Sequence, residues 1–201
     1  RREKLFKLFN KIKKTGGTLI IGGDFFDFWV QSFYGVPKYY DDILEELENL
    51  TLNNIEIHYV VGNHDYWDFG FIYKKCKAVI HKKDLIFKTN NQKILVTHGD
   101  GLLKNDYLYR FMKRIIRSSL FVFLVRLIPS ELMSIMARKI SNTKLKFNVS
   151  QYLNKKCTKE LQNYAHNKIN EENFNVVLMG HYHQTGIINI SNRYFIQLGD
   201  W

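Results

Sequence analysis

Residues 18–24 read TLIIGGD, an apolar run from Thr18 to Ile21 that stops at Gly22-Gly23-Asp24. A short β-branched run closed by glycine reads as a buried strand and its turn. The same pattern recurs along the chain. Ile55 to Val61 runs into Gly62-Asn63-His64-Asp65, Ile94 to Thr97 into His98-Gly99-Asp100, and Val176 to Met179 into Gly180-His181-Tyr182-His183. Each strand ends in a glycine with Asp, Asn or His beside it. Ligands of an α/β sheet gather at the carboxyl ends of its strands, so these turns are expected to converge on one site.

Between the strands the pattern changes period. Leu5, Leu8, Phe9 and Ile12 fall at helical spacing before Gly16-Gly17, and residues 41–52 repeat that spacing with Ile43, Leu44, Leu47 and Leu50. Leu85 to Lys88 and Ile94 to Thr97 form a hairpin pair around Asn90-Asn91, and Thr185 to Ile190 and Tyr194 to Leu198 close the chain as strands. Residues 104–171 carry no strand signal and read as a helical insertion. With 201 residues, 45% hydrophobic and 24% charged, the chain has the composition of one globular domain.

The formal net charge is +11, and most of it sits in one place: from Gly101 to Glu160 thirteen Lys and Arg face Asp106, Glu131 and Glu160. Arg110, Lys113, Arg114, Arg117, Arg126, Arg138 and Lys139 interleave there with Phe111, Ile115, Leu120, Phe123, Leu124, Leu127, Leu132 and Met136. An apolar face ringed by cations suits an anionic membrane interface. Aromatic stacking platforms for single-stranded nucleic acid are few, so no nucleic-acid partner is expected. The longest apolar run, Leu120 to Val125, is too short to span a bilayer. Cys76 and Cys157 form no C-x-x-C pattern, which excludes a zinc ribbon and suits a reducing compartment.

The four turns offer Asp24, Asn63, His98, His181 and His183. Carboxylate, amide oxygen and imidazole form a mixed O/N donor set that suits Mn²⁺, Fe²⁺ or Zn²⁺, and thiolate is absent. A carboxylate such as Asp24 can bridge two cations about 4 Å apart. Each piece alone is ordinary, since Gly-Asp after a strand is commonly just a turn. The ordered conjunction is what points to a metal centre.

GGDFFD (22–27), GNHD (62–65), HGD (98–100) and GHYH (180–183) resemble motifs two to five of the calcineurin-like metallophosphoesterase superfamily. The resemblance implies an α/β fold, a four-layer α/β/β/α sandwich, over residues 1–201 as a single domain, with a helical cap inserted at 104–171. It also implies two divalent metal ions, with Mn²⁺ the metal the family points to. Asp24 would bridge both, Asn63, His98 and His181 would complete one site, and His183 would belong to the other. His64, held by Asp65, is similar to the histidine that contacts the phosphate and assists the leaving group, while a water between the cations attacks. The first motif of that family, Asp-x-His, does not occur before Gly22, so it and the first strand are expected upstream of Arg1.

Narrower features resemble the UDP-2,3-diacylglucosamine pyrophosphatases of lipid A synthesis: FDFW at 26–29, HGDGL followed by Asp106, and the closing LGDW. This implies hydrolysis to UMP and 2,3-diacylglucosamine 1-phosphate. The implied partners are a lipid-linked nucleotide and the anionic membrane under the cap, and the implied location is cytoplasmic, peripheral on the bacterial inner membrane. Asn63, His64, Asp106 and His181 would touch substrate, with Ser141, Asn142 and Lys144 further candidates. His64 departs from the GNRD of the commoner variant. Two alternatives stay open: a phosphoesterase of nucleotides or nucleic acid, and a non-catalytic scaffold.

Overall fold

A computed structural model of the chain describes residues 2–89, 91–142 and 151–199, the side chains of 137–142 and 151–156 excepted. Helix α1 (Arg2–Thr15) leads into strand β1 (Thr18–Ile21), which pairs in parallel with β2 (Glu56–Val60), and β2 pairs in parallel with β3 (Val79–His81). Helices α2 (Asp41–Leu52) and α3 (Phe71–Cys76) join α1 on one face of this sheet. Leu5, Phe9, Leu44, Leu47 and Leu50 bury themselves there against Ile57 and Tyr59. Asp41 and Asp42 occupy the first turn of α2, where carboxylates complement the helix dipole.

The second sheet runs β4 (Leu85–Thr89), β5 (Gln92–Thr97), β6 (Val176–Met179), β8 (Arg193–Gln197), β7 (Gly186–Ile190) in spatial order. Its two hairpins are antiparallel and its centre, β5-β6-β8, is parallel. Helix α7 (Gln151–Asn170) covers it by packing Leu161, Ala165 and Ile169 onto Val177, Met179 and Phe195. Val60 meets Leu85 and Val96 between the sheets, with Ile20, Phe87 and Leu178 around them. The layers are therefore helix, sheet, sheet, helix, as the sequence leads one to expect. Besides a single 3-10 turn at Lys38–Tyr40, α3 and β3 escape the sequence reading. Six and three residues respectively are too few to show a period.

Between β5 and β6 lie α4 (Tyr107–Ile116), α5 (Ser119–Arg126), α6 (Ser130–Asn142) and α7. The first three rest on the loops that follow β1 and β2. Trp67 Nε1 donates to the Ile116 carbonyl at 3.2 Å, the Phe33 amide to the Arg126 carbonyl at 2.9 Å, and the Lys38 amide to Glu131 at 2.7 Å.

Here the polarity differs from expectation. The cations of α4 and α5 turn largely inward: Arg110 to the Gly101 and Leu103 carbonyls, Lys113 to Asp100, Arg117 over Tyr66, and Arg126 between Phe33 and Phe69. Leu108, Phe111, Met112, Ile115 and Leu120 face out, Leu108 at 74% and Leu120 at 70% exposure. The inner face meets strand-end carbonyls, a carboxylate and aromatic rings, which cations satisfy and aliphatic chains do not. No single described helix is long and apolar enough to cross a membrane. Arg138, Lys139, Ser141 and Asn142 have side chains outside the described set, and Lys144, Asp200 and Trp201 lie outside the described residues.

Candidate metal centre

The four strand-end turns do converge. His98 Nε2 lies 3.1 Å from Asn63 Oδ1 and 3.2 Å from Asp24 Oδ2, and the His98 and His181 rings are 5.0 Å apart. Ligand atoms of Asp24, His98 and His181 all fall within 4.8 Å of one another. On its other side His98 Nδ1 is 3.2 Å from the Gly22 carbonyl, which can only accept. A neutral ring with its proton on Nδ1 would therefore aim the Nε2 lone pair at two oxygens. Only a proton or a cation between them removes that repulsion, so the residues present fit a divalent ion.

The charges agree. Burial alone would raise Asp24, yet the His98 hydrogen bond and charge win and hold it below the ordinary carboxylate range. Burial alone would lower His98, but Asp24 draws it up. Burial, reinforced by the charge of His98, pushes His181 down to about 4, so at neutral pH its ring is uncharged and has a lone pair to give.

The local backbone is costly. Asp24, His181 and His183 have φ of 51°, 65° and 51°, a left-handed conformation that costs non-glycine residues roughly 1–2 kcal/mol each. Gly62 lets β1 and β2 deliver their ends side by side: a β-carbon there would sit 2.1 Å from Asp24 Oδ1 and 2.5 Å from the Asp24 amide nitrogen. Gly62→Ala is expected to push Asp24 out of place, destabilise the fold by about 1–3 kcal/mol and weaken Mn²⁺ binding about tenfold or more. Thermal denaturation and calorimetric titration with Mn²⁺ check the two effects separately.

The remaining expected residues fall in distinct places. His64 is exposed, its amide donates to Asp24 Oδ1 at 2.8 Å, and its Nδ1 lies 2.6 Å from the Asp27 carbonyl. That partner fixes the proton on Nδ1 and leaves Nε2 free. The sequence reading had Asp65 holding His64. Instead Asp65 is fully buried and accepts from the Phe25 amide at 3.0 Å, the Gly62 amide at 2.6 Å and the Tyr59 hydroxyl at 2.5 Å. It ties the loops after β1 and β2 together, and the Asp27 carbonyl orients the histidine. His183 stands outside the cluster of three, in an adjoining cleft of about 390 Å³ that Asp24 and His181 also line. Asp106 occupies the N-cap position of α4 without a side-chain cap hydrogen bond, and no described contact brings its carboxylate to the cluster.

Asp100 was passed over as a site residue in the sequence. It is nearly buried, 2.6 Å from Lys113 Nζ, 3.7 Å from Arg117 and within hydrogen-bond reach of the Tyr109 hydroxyl at 2.8 Å. Burial alone would raise it, but Lys113 and Tyr109 hold it below the usual carboxylate range. The HGD triplet was legible, whereas a partner thirteen residues on required the fold.

Comparison with known proteins adds the following. The chain is 25% identical over 116 residues to the UDP-2,3-diacylglucosamine hydrolase of Porphyromonas gingivalis, covering 55% of this chain and 44% of that protein. It is 29% identical over 102 residues to the protein of the same name from Edwardsiella ictaluri, covering 51% and 39%. The chain thus spans less than half the length of these relatives. The solved structure of an archaeal phosphodiesterase is similar at 16% identity and a TM-score of 0.42, covering 96% of this chain and 74% of that one. The model of the calcineurin-like phosphoesterase family matches residues 1–185, and the chain belongs to that family.

Proposed function

We propose that the chain hydrolyses the pyrophosphate of UDP-2,3-diacylglucosamine, adding water to give UMP and 2,3-diacylglucosamine 1-phosphate. Family membership and the names of its relatives support the reaction class. The observation that carries the lipid substrate is the outward apolar face of α4 to α6, beside the metal centre. Leu108, Phe111, Leu120, Phe123, Leu132 and Met136 are all about half exposed or more. A run of that extent is unusual for a soluble surface. Acyl chains, or the anionic bilayer face that presents them, would cover it. A nucleic acid would not, because the cations of these helices are largely turned inward.

Asp24, Asn63, His98 and His181 are the residues that would hold a divalent ion, with Mn²⁺ our choice. When bound, a cation pair supplies Lewis acidity to the phosphoryl group and the attacking water. Among the described residues β1 pairs only with β2. The cleft that holds His183 is lined by Leu8, Ile20 and Leu198 as well.

His64 presents Nε2 to substrate from the rim. When protonated it donates to a phosphoryl oxygen or to the departing bridging oxygen of the diphosphate, and its carbonyl-bound Nδ1 keeps the ring in place. His64→Ala is expected to lower kcat about 100-fold or more with metal content per chain unchanged. Wild-type kcat in that variant would remove His64 from the chemistry.

The acyl part of the proposal is tested by comparing UDP-2,3-diacylglucosamine with UDP-N-acetylglucosamine. A kcat/KM at least about tenfold higher for the diacylated substrate is expected from apolar burial. Equal values would leave a phosphoesterase without lipid preference.

A further inference from the structure

The histidines of the centre are not held alike. His98 Nδ1 lies 3.2 Å from the Gly22 carbonyl, and His64 Nδ1 lies 2.6 Å from the Asp27 carbonyl. His181 is different: among the described residues neither of its ring nitrogens forms a hydrogen bond. A ligating imidazole ordinarily donates its other N–H to a carbonyl or carboxylate, and that bond fixes the ring. Around His181 other rings take that place.

His98, Tyr109 and Tyr182 surround it, with centroids at 5.0, 5.9 and 5.0 Å and planes inclined by 69°, 52° and 83°. Inclined and edge-to-face contacts at this range are the favoured aromatic geometry. Both tyrosines are tethered to the HGD turn. The Tyr182 hydroxyl donates to the Gly99 carbonyl at 3.0 Å, and the Tyr109 hydroxyl donates to Asp100 at 2.8 Å. Tyr182 follows His181 in the chain, whereas Tyr109 is brought in by α4. Tyr109, Lys113 and Arg117 stand four residues apart along one stripe of that helix. Lys113 at 2.6 Å and Arg117 at 3.7 Å share the Asp100 carboxylate with the Tyr109 hydroxyl. Arg117 also donates to the Gly62 carbonyl at 3.4 Å, so the stripe touches three of the four ligand-bearing turns.

We propose that Tyr109 is a positioning residue for His181: its ring, fixed by Asp100, holds the imidazole at the angle a divalent ion needs, in place of a hydrogen bond. The inference rests on the reading of the cluster as a metal centre and not on the choice of lipid substrate. It ties α4 to the metal centre, although no residue of α4 would touch the ion. The helix that turns Leu108, Phe111 and Ile115 outward is the one whose inner stripe steadies His181. Whatever seats α4 therefore tightens the ion, and the ion seats α4 in return.

Calorimetric titration of the EDTA-treated full chain with Mn²⁺ tests this, with Co²⁺ as a spectroscopic probe of the ligand set. Tyr109→Ala is expected to weaken Mn²⁺ about tenfold or more, the usual scale for a group that orients a metal ligand. Its Co²⁺ visible absorption, which follows coordination geometry, is expected to change. Tyr109→Phe keeps the ring, and is expected to bind Mn²⁺ more tightly than the alanine variant. Trp67→Phe serves as the structural control. It removes the bond to the Ile116 carbonyl at the far end of α4 while leaving Tyr109 in place, and is expected to leave Mn²⁺ affinity unchanged. Parent affinity and an unaltered Co²⁺ spectrum in Tyr109→Ala would overturn the inference and leave the metal centre standing. Equal weakening by Tyr109→Ala and Trp67→Phe would reduce the effect to a loosened helix and overturn it as well. Absence of Mn²⁺ binding by the parent chain would remove the metal centre and the inference with it.

Discussion

Asp24→Ala is expected to remove metal binding and hydrolysis together, with the metal-free fold retained. Asp24 Oδ2 faces His98 Nε2 at 3.2 Å, and its Oδ1 anchors the His64 amide at 2.8 Å. Without the carboxylate, two neutral imidazoles and one amide oxygen remain to hold a doubly charged ion. Loss of a residue behind a ligand costs roughly 10–100-fold in affinity, so loss of the sole carboxylate of the cluster is expected to cost about 100-fold or more. Turnover of bis(p-nitrophenyl) phosphate is expected to fall about 1000-fold or more, because the Lewis acid leaves with the metal. The fold should persist, since Asp24 is only partly buried and the extra cost of alanine over aspartate at φ 51° is about 1 kcal/mol. Mn²⁺ bound with wild-type stoichiometry and affinity in this variant would place the ion elsewhere.

Asp65→Ala acts through stability instead. Removing this carboxylate strands the Gly62 amide and the Tyr59 hydroxyl in a buried space and takes an acceptor from the part-buried Phe25 amide. Each orphaned buried group costs about 1–3 kcal/mol, so a loss of about 4 kcal/mol or more is expected. That is a large part of the stability of a domain this size. The same residue gives a pH signature in the metal-free chain. Burial pushes the Asp65 carboxyl up to about 6 from an ordinary value of 3.8, against the pull of its hydrogen bonds. The folded state therefore binds the proton more tightly than the unfolded state, so the Asp65 contribution is fully present below pH 3.8 and is lost as pH rises through about 6. Equilibrium unfolding from pH 7 to pH 5 is expected to show the parent chain gaining stability relative to Asp65→Asn, which does not titrate. Parallel curves would contradict the shift.

What the sequence displayed and what it hid follow from range. Strand-end glycines flanked by Asp, Asn and His are local signals, and TLIIGGD, GNHD, HGD and GHYH each announced a turn that the structure brings to one place. Helices with repeated apolar spacing, such as α1 and α2, were equally legible. Short elements were not: α3 and β3 gain their order from Cys76, Ala78 and Ile80 packing on the Leu44 and Tyr59 layer rather than from a pattern of their own. Partnership was hidden as well. Nothing local says that Asp65 ties down Phe25 and Tyr59, that the Asp27 carbonyl orients His64, or that Lys113 answers Asp100. The same limit explains the helical segment. Its alternation of cations with aliphatic side chains was plain, but which set faces inward depends on the carbonyls, carboxylate and rings it meets, and those belong to distant residues.

The measurement closest to the central claim is release of UMP from UDP-2,3-diacylglucosamine by the chain in the presence of Mn²⁺, followed over time and then challenged with EDTA. The metal centre and the outward apolar helices together call for steady release that EDTA halts and fresh Mn²⁺ restores. Substrate left intact, while bis(p-nitrophenyl) phosphate is cleaved in the same buffer, would contradict the assignment to the diacylated sugar nucleotide.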